Sequence, residues 1–276
     1  MNQTGPKIIS VDERLTERRG AKVLLLGLTG IGKTSQLKKL DPARTLFVDV
    51  EAGDLAVLDW PVRTIRLDTW PHVRDLACRI GGPNPSFPPT TAYSQAHFDA
   101  IGGCLPELDS YETIFVDSLT AISRLSFRWS EQQPESFSER TGRKDLRGAY
   151  GLHAREMILW LNQLQHARDK NVIFVGILER VVDELKVATW QLQCEGSKTS
   201  REIPGIIDAI VTYGFLDFGD GKPPMRGFVC ANSNPWGFPA KDRSGRLGPI
   251  EEPDLGKLLI KLTNQHDRKP KGESHD

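Results

Sequence analysis

The chain is poor in cysteine, with Cys78, Cys104, Cys194 and Cys230 spread over 276 residues and no Cys-x-x-Cys pair. That spacing argues against a zinc site or a disulfide framework and suits a reducing compartment. No apolar run is long enough to span a bilayer, and the opening "MNQTGPKIISVDERLTERRG" has no signal-peptide core. These absences predict a soluble cytoplasmic protein with no membrane partner. Net charge is absent as well, because 36 basic residues balance 36 acidic ones. Any attraction for nucleic acid must therefore come from local patches. His72, His97, His153 and His166 have no partner at metal-ligand spacing, and no Ser-His-Asp or Cys-His constellation can be argued.

What is present is an alternation of apolar runs and helical patterns. "AKVLLLGL", "TLFVDV", "VRTIRL", "YETIFVD" and "NVIFVGIL" read as strands, the most apolar of them as strands buried on both faces. Helical patterns cover 33–40, "WPHVRDLACRI" and "LHAREMILWLNQLQHARDK". This order predicts an α/β fold with a mainly parallel, twisted sheet flanked by helices. "DAIVTYGFLDF" and "MRGFVCAN", joined by "GDGKPP", predict a C-terminal antiparallel extension, followed by a closing helix in "DLGKLLIKLTNQ". The expected organisation is a polar N-terminal arm over 1–20, one domain over 21–265 and a disordered tail over 266–276. There is no internal repeat.

The most specific chemical signal is "GLTGIGKTS", which comprises Gly27, Leu28, Thr29, Gly30, Ile31, Gly32, Lys33, Thr34 and Ser35 between a strand and a helical pattern. Glycines in such a turn let backbone N–H groups surround phosphate oxygens, and the helix start adds partial positive charge. Lys33 has the reach for β- and γ-phosphates, and the Thr34 hydroxyl suits Mg²⁺. Such a site also needs a carboxylate at the carboxyl edge of a neighbouring strand, and Asp117 ends "TIFVD" there. The alternative for Asp117 is a cap on the following helix. For hydrolysis a group must orient water near the γ-phosphate. Asp49 and Glu51 fall on the same side of their strand by alternation, and Glu51, nearer the edge, is the better candidate.

At these segments the sequence resembles a RecA-type recombinase core: a phosphate loop, then "FVDVE" (47–51), then "FVDS" (115–118). The resemblance implies a RecA-like P-loop NTPase fold and gives Glu51 the role of catalytic carboxylate. "DSLT" at 117–120, Tyr150-Gly151 and "KDR" at 241–243 are similar to compact phage ATP-binding proteins of the RecA-like superfamily. That likeness implies a Mg²⁺-dependent ATPase acting on single-stranded DNA in phage or prophage homologous recombination, by strand annealing. It also implies a homo-oligomeric ring or filament. In such assemblies basic residues near the last strands reach a neighbour's γ-phosphate. Lys241 and Arg243, spaced i, i+2 on an extended segment, would point the same way and act as that pair. One departure stands out: the strand 171–178 ends in Gly176-Ile177-Leu178, where RecA-type enzymes place a polar sensor.

Two segments combine cations with aromatics, as sequence-tolerant single-strand binding requires. The first, 123–151, carries Arg124, Arg128, Arg140, Arg143, Lys144, Arg147 and Tyr150; the second, 181–205, carries Lys186, Trp190, Lys198 and Arg201. The first reads alternatively as a solvated connecting loop and the second as a plain β-hairpin. Two rival functions follow from the same residues. One is a small-molecule kinase with Arg-rich 140–147 as its lid, and the other is a nucleotide-switched loader or packaging accessory.

Overall fold

The structure, a computed structural model, describes residues 8–263. The tail expected over 266–276 lies outside the described residues. Within the expected N-terminal arm, Val11–Thr16 forms a short helix, α1, closed by a capping box between Ser10 and Glu13.

Strand β1 (Lys22–Gly27) lies at the centre of a ten-stranded sheet. The others are β2 (Thr45–Asp49), β3 (Arg63–Arg66), β4 (Thr113–Asp117), β5 (Asn171–Val182), β6 (Ala188–Leu192), β7 (Ala209–Leu216), β8 (Met225–Val229), β9 (Lys241–Asp242) and β10 (Ile250–Glu251). Their order is β10-β8-β7-β1-β5-β4-β2-β3, with β6 added to β5 and β9 to β7. Pairings from β3 through β7 along this path are parallel, and β8, β9, β10 and β6 are antiparallel additions. The parallel core and its antiparallel extension are those expected from the sequence.

Alternation along the strands builds a core on each face. Leu24, Leu26, Val116 and Phe174 pack with α2 (Trp70–Gly81), α4 (Leu119–Ser130), α5 (Leu146–His166) and α6 (Ser197–Ile206). Val23, Leu25, Phe115 and Val175 face the other way, onto the segment after the phosphate loop and onto α7 (Leu255–Thr263). A further short helix, α3 (Gln95–Ala100), follows the Pro-rich loop.

Four elements differ from the sequence reading. Residues Thr34–Lys39 form a 3₁₀ rather than an α-helix. Gln36 is buried there, donating to the Pro253 carbonyl at 3.1 Å and accepting from Leu255 N–H at 3.2 Å, so the chain entering α7 ties the segment down. Helix α5 starts at Leu146, six residues early, because Asp145 caps it through Arg147 N–H. Gly148 and Gly151 weaken the helical signal in those first turns. The first cationic segment, 123–151, opens as helix rather than loop, because Ser118 caps α4 and Leu119 and Ile122 are buried. Strand β5 continues past Leu178 to Val182 in a hairpin with β6, which is the plain-hairpin alternative for that part of the second segment.

Candidate nucleotide site

The loop leaves β1 at the carboxyl edge of the sheet. Gly30 and Gly32 take φ of 80° and 103°, a region where a side chain is strained. Their N–H groups find no acceptor within the described chain, which leaves them available to an anion. Lys33 folds back over the turn, and its Nζ donates to the carbonyls of Gly27 and Leu28, both at 2.9 Å. Burial pulls the pKa of this ammonium down, opposed by Asp117 and Glu51. The lysine thus stands beside a cavity of about 300 Å³ that Thr34, Glu51, Asp117 and Ser118 also line.

The carboxylates arrive from the two neighbouring strands. β2 and β4 pair with Asp49 level with Asp117. Asp117 accepts a 2.5 Å hydrogen bond from the Thr34 hydroxyl, joining the loop to β4. Burial pushes the Asp117 carboxyl up to about 6, with Glu51 adding to the rise and the Thr34 bond and Lys33 opposing it. Asp49 and Glu51 part company here. Asp49 is buried and accepts from Gly53 N–H, bracing the loop after β2. Glu51 lies beyond the strand end, exposed, and its carboxylate accepts from the Ser118 hydroxyl. Glu51 therefore faces the cavity, whereas Asp49 does not line it.

Lys241 and Arg243 lie elsewhere. β9 pairs with the start of β7, at the edge opposite the phosphate loop. As their spacing implies, both side chains point the same way, but toward the corner between α6 and β7. Lys241 Nζ donates to the carbonyls of Pro204 and Ile207, and Arg243 donates to Asp208 and the Gly205 carbonyl. Alternation predicts a shared direction but not which edge the pair occupies. Within the single chain both residues hold this corner, away from its own phosphate loop.

The cationic segments are only partly free. Lys144 pairs with Glu131 at 3.0 Å, Arg124 donates to Gln193, and Trp129 lies under Arg74. Trp190 packs edge-on against Phe238. Lys144, at the end of Arg140–Lys144, is tied to Glu131 at the far end of twelve-residue α4, roughly 18 Å of helix from Asp117. What the fold brings together is the start of α5 and the start of α6. Arg147, Tyr150, Lys198 and Thr199 line one open groove of about 530 Å³.

Sequence reading missed the hydroxyls of α4. Thr120 bridges Ile177 N–H and the Gln193 carbonyl, Ser123 accepts from Glu195 N–H, and Ser126 bonds His153, whose other ring nitrogen meets the Glu195 carbonyl. The i, i+3 spacing of these residues in "DSLTAISRLSFRW" is a visible signal, but only the tertiary structure reveals its partners.

The sequence pattern of the AAA domain family matches residues 19–244. No curated protein matches the sequence. Among solved structures, a KaiC-like protein from the hyperthermophilic archaeon Pyrococcus horikoshii OT3 is similar at a TM-score of 0.36 and 12% identity, over 76% of this chain and 78% of that one. The family match takes in the loop, its facing carboxylate and most of the sheet, and the chain belongs to the AAA domain family as a P-loop ATPase.

Proposed function

We propose that this ATPase uses Mg²⁺ and couples its nucleotide state to single-stranded DNA, in a recombination or strand-annealing role like that of the phage proteins its motifs resemble. The donor set around the loop supports Mg²⁺. A hydroxyl and a carboxylate are hard oxygen ligands, and this ion characteristically completes its shell with phosphate oxygens and water. Among the described residues no cluster of three or more His, Cys, Asp or Glu would hold a metal by itself. On this reading Thr34 and Asp117 hold the ion and Lys33 binds the β- and γ-phosphates. Bound ATP supplies the γ-phosphoryl group, from which its Mg²⁺ draws charge.

On this reading Glu51 orients the attacking water, through the same carboxylate that accepts from the Ser118 hydroxyl. Glu51→Gln should leave Mg-ATP affinity within about threefold and slow single-turnover hydrolysis about a hundredfold. Unchanged turnover would remove Glu51 from the chemistry.

The groove between α5 and α6 carries the DNA reading. Gly196 precedes α6 without a side-chain cap, which leaves the first N–H groups of the helix without a side-chain acceptor at the cap, a favourable place for phosphate. The Thr199 hydroxyl oxygen is fully buried and has no hydrogen-bond partner among the described residues. Arg147 and Lys198 add charge, and Tyr150, stacked on Phe127 at 4.4 Å, offers a supported aromatic face. The α4 hydroxyls connect this groove to the nucleotide. Ser118 touches Glu51 at the start of the helix, and in its middle turns Ser123 directly and Ser126 through His153 hold the segment entering α6. That ladder supplies the polar link missing from Gly176–Leu178.

Replacing both Arg147 and Lys198 with alanine should lower the salt slope of single-strand binding by about 1.4, the loss of two phosphate contacts. DNA-stimulated turnover should fall about tenfold. Anisotropy titrations at several salt concentrations measure the slope, and an unchanged slope would move the DNA off this groove. For self-assembly, the exposed Val182 and Leu185 of the β5–β6 hairpin and Phe218 and Met225 of the β7–β8 hairpin are apolar surface that a second copy would cover.

A further inference from the structure

Arg226 stands at the phosphate loop with no acidic partner among the described residues. It lies on β8, directly across from Phe215 of β7. Its guanidinium sits over the Phe215 ring, with Cζ 5.2 Å from the ring centroid. A Cβ built on Gly32 would come 3.9 Å from Arg226 Nη1 and 3.8 Å from Cε1 of Tyr213. Tyr213 is buried and braced edge-on by Phe228, so it forms a firm wall between β8 and the loop. Among the described residues the Arg226 side chain makes no hydrogen bond or ion pair. The aromatic face orients the cation without using its N–H donors, which stay free along the guanidinium edge.

The position of Arg226 relative to the carboxylates fixes which part of a nucleotide it meets. β7 and β8 lie on one side of β1, whereas β4 and β2, carrying Asp117 and leading to Glu51, lie on the other. A triphosphate with its γ end between Thr34, Asp117 and Glu51 runs back across the loop toward β7 and β8. We propose that Arg226 is a nucleotide-binding residue for the α-phosphate and nucleoside end, oriented by Phe215. This rests on the nucleotide reading of the loop. Because that end is common to ATP and ADP, Arg226 contributes equally to both and retains the product as firmly as the substrate.

The test is calorimetric titration of Mg-ATP and Mg-ADP into the wild-type protein, Arg226→Ala, Arg226→Lys and Phe215→Leu, with steady-state hydrolysis alongside. Losing charge-assisted bonds should weaken both nucleotides about tenfold in Arg226→Ala, raise KM by the same factor and lower kcat by no more than about threefold. Arg226→Lys should fall between, since an ammonium lacks the planar fork, and Phe215→Leu should cost about threefold. Unchanged ADP affinity in Arg226→Ala would overturn the proposal. A loss confined to kcat would also overturn it, by moving the residue to the γ-phosphate. Failure of the wild-type protein to bind either nucleotide would instead overturn the reading of the loop itself.

Discussion

Lys33→Ala is expected to weaken Mg-ATP binding on the order of a thousandfold, with no loss of folded structure. Lys33 now satisfies its ammonium with two loop carbonyls, Gly27 and Leu28, in a site where burial disfavours the charge. Phosphate oxygens would offer the same group full anionic partners. Two charge-assisted bonds at roughly 1.5–3 kcal/mol each give an effect of that size. The side chain belongs to neither apolar core, so the thermal midpoint without nucleotide should stay close to wild type. Calorimetry and a melting curve separate the two quantities. Wild-type affinity in this variant would dismiss the loop as the phosphate site.

The second large effect concerns Asp117, where function and stability should move in opposite directions. Its carboxyl titrates near 6, above the ordinary 3.8, chiefly because it is buried and secondarily because Glu51 and Asp49 are near. A raised folded pKa means that the folded chain holds this proton more tightly than the unfolded one. The stability it contributes is therefore full below about pH 4 and lost as pH rises through about 6. At neutral pH the ionised carboxylate costs up to roughly 3 kcal/mol in the nucleotide-free protein.

Asp117→Asn keeps an acceptor for the Thr34 hydroxyl and removes that charge. It should stabilise the nucleotide-free protein by on the order of 1–3 kcal/mol at pH 7.5, with little difference at pH 4. It should also lose Mg²⁺-dependent nucleotide affinity on the order of a thousandfold, because the amide is a poor substitute for an anionic ligand. If Asp117 holds Mg²⁺ as proposed, the metal competes with its proton in the wild-type protein, and apparent metal affinity should fall about tenfold per pH unit below 6. Urea melts at both pH values and magnesium titrations provide the check. A less stable Asp117→Asn at pH 7.5 would show that the carboxylate is not the strained group described here.

How much of this is visible in the sequence depends on how far apart the interacting residues are. The loop and β1 are contiguous, so spacing alone reveals them. Asp117 is visible because an apolar strand ends in a carboxylate, a local pattern. The choice between Asp49 and Glu51 is settled by the end of β2: Asp49 closes the strand and is buried, whereas Glu51 lies past it. Alternation cannot predict that the strand stops between them. The early start of α5 is masked by Gly148 and Gly151, whose propensity cost is overridden by packing of the helix on α4 and α6. Arg226 is invisible in the sequence, since only the pairing of β7 with β8 brings it to a loop nearly two hundred residues earlier. The edge that Lys241 and Arg243 occupy is likewise invisible in the sequence, since only the pairing of β9 with the start of β7 sets them at the end of the sheet away from this chain's own loop.

Calorimetric titration of the wild-type protein with ATP, with and without Mg²⁺, tests the central claim most directly, combined with the melting temperature at saturating nucleotide. The account predicts saturable, magnesium-dependent heat and a stabilisation of roughly 2.7 kcal/mol when nucleotide is a hundredfold above its dissociation constant. No heat and no thermal protection at millimolar Mg-ATP would contradict it.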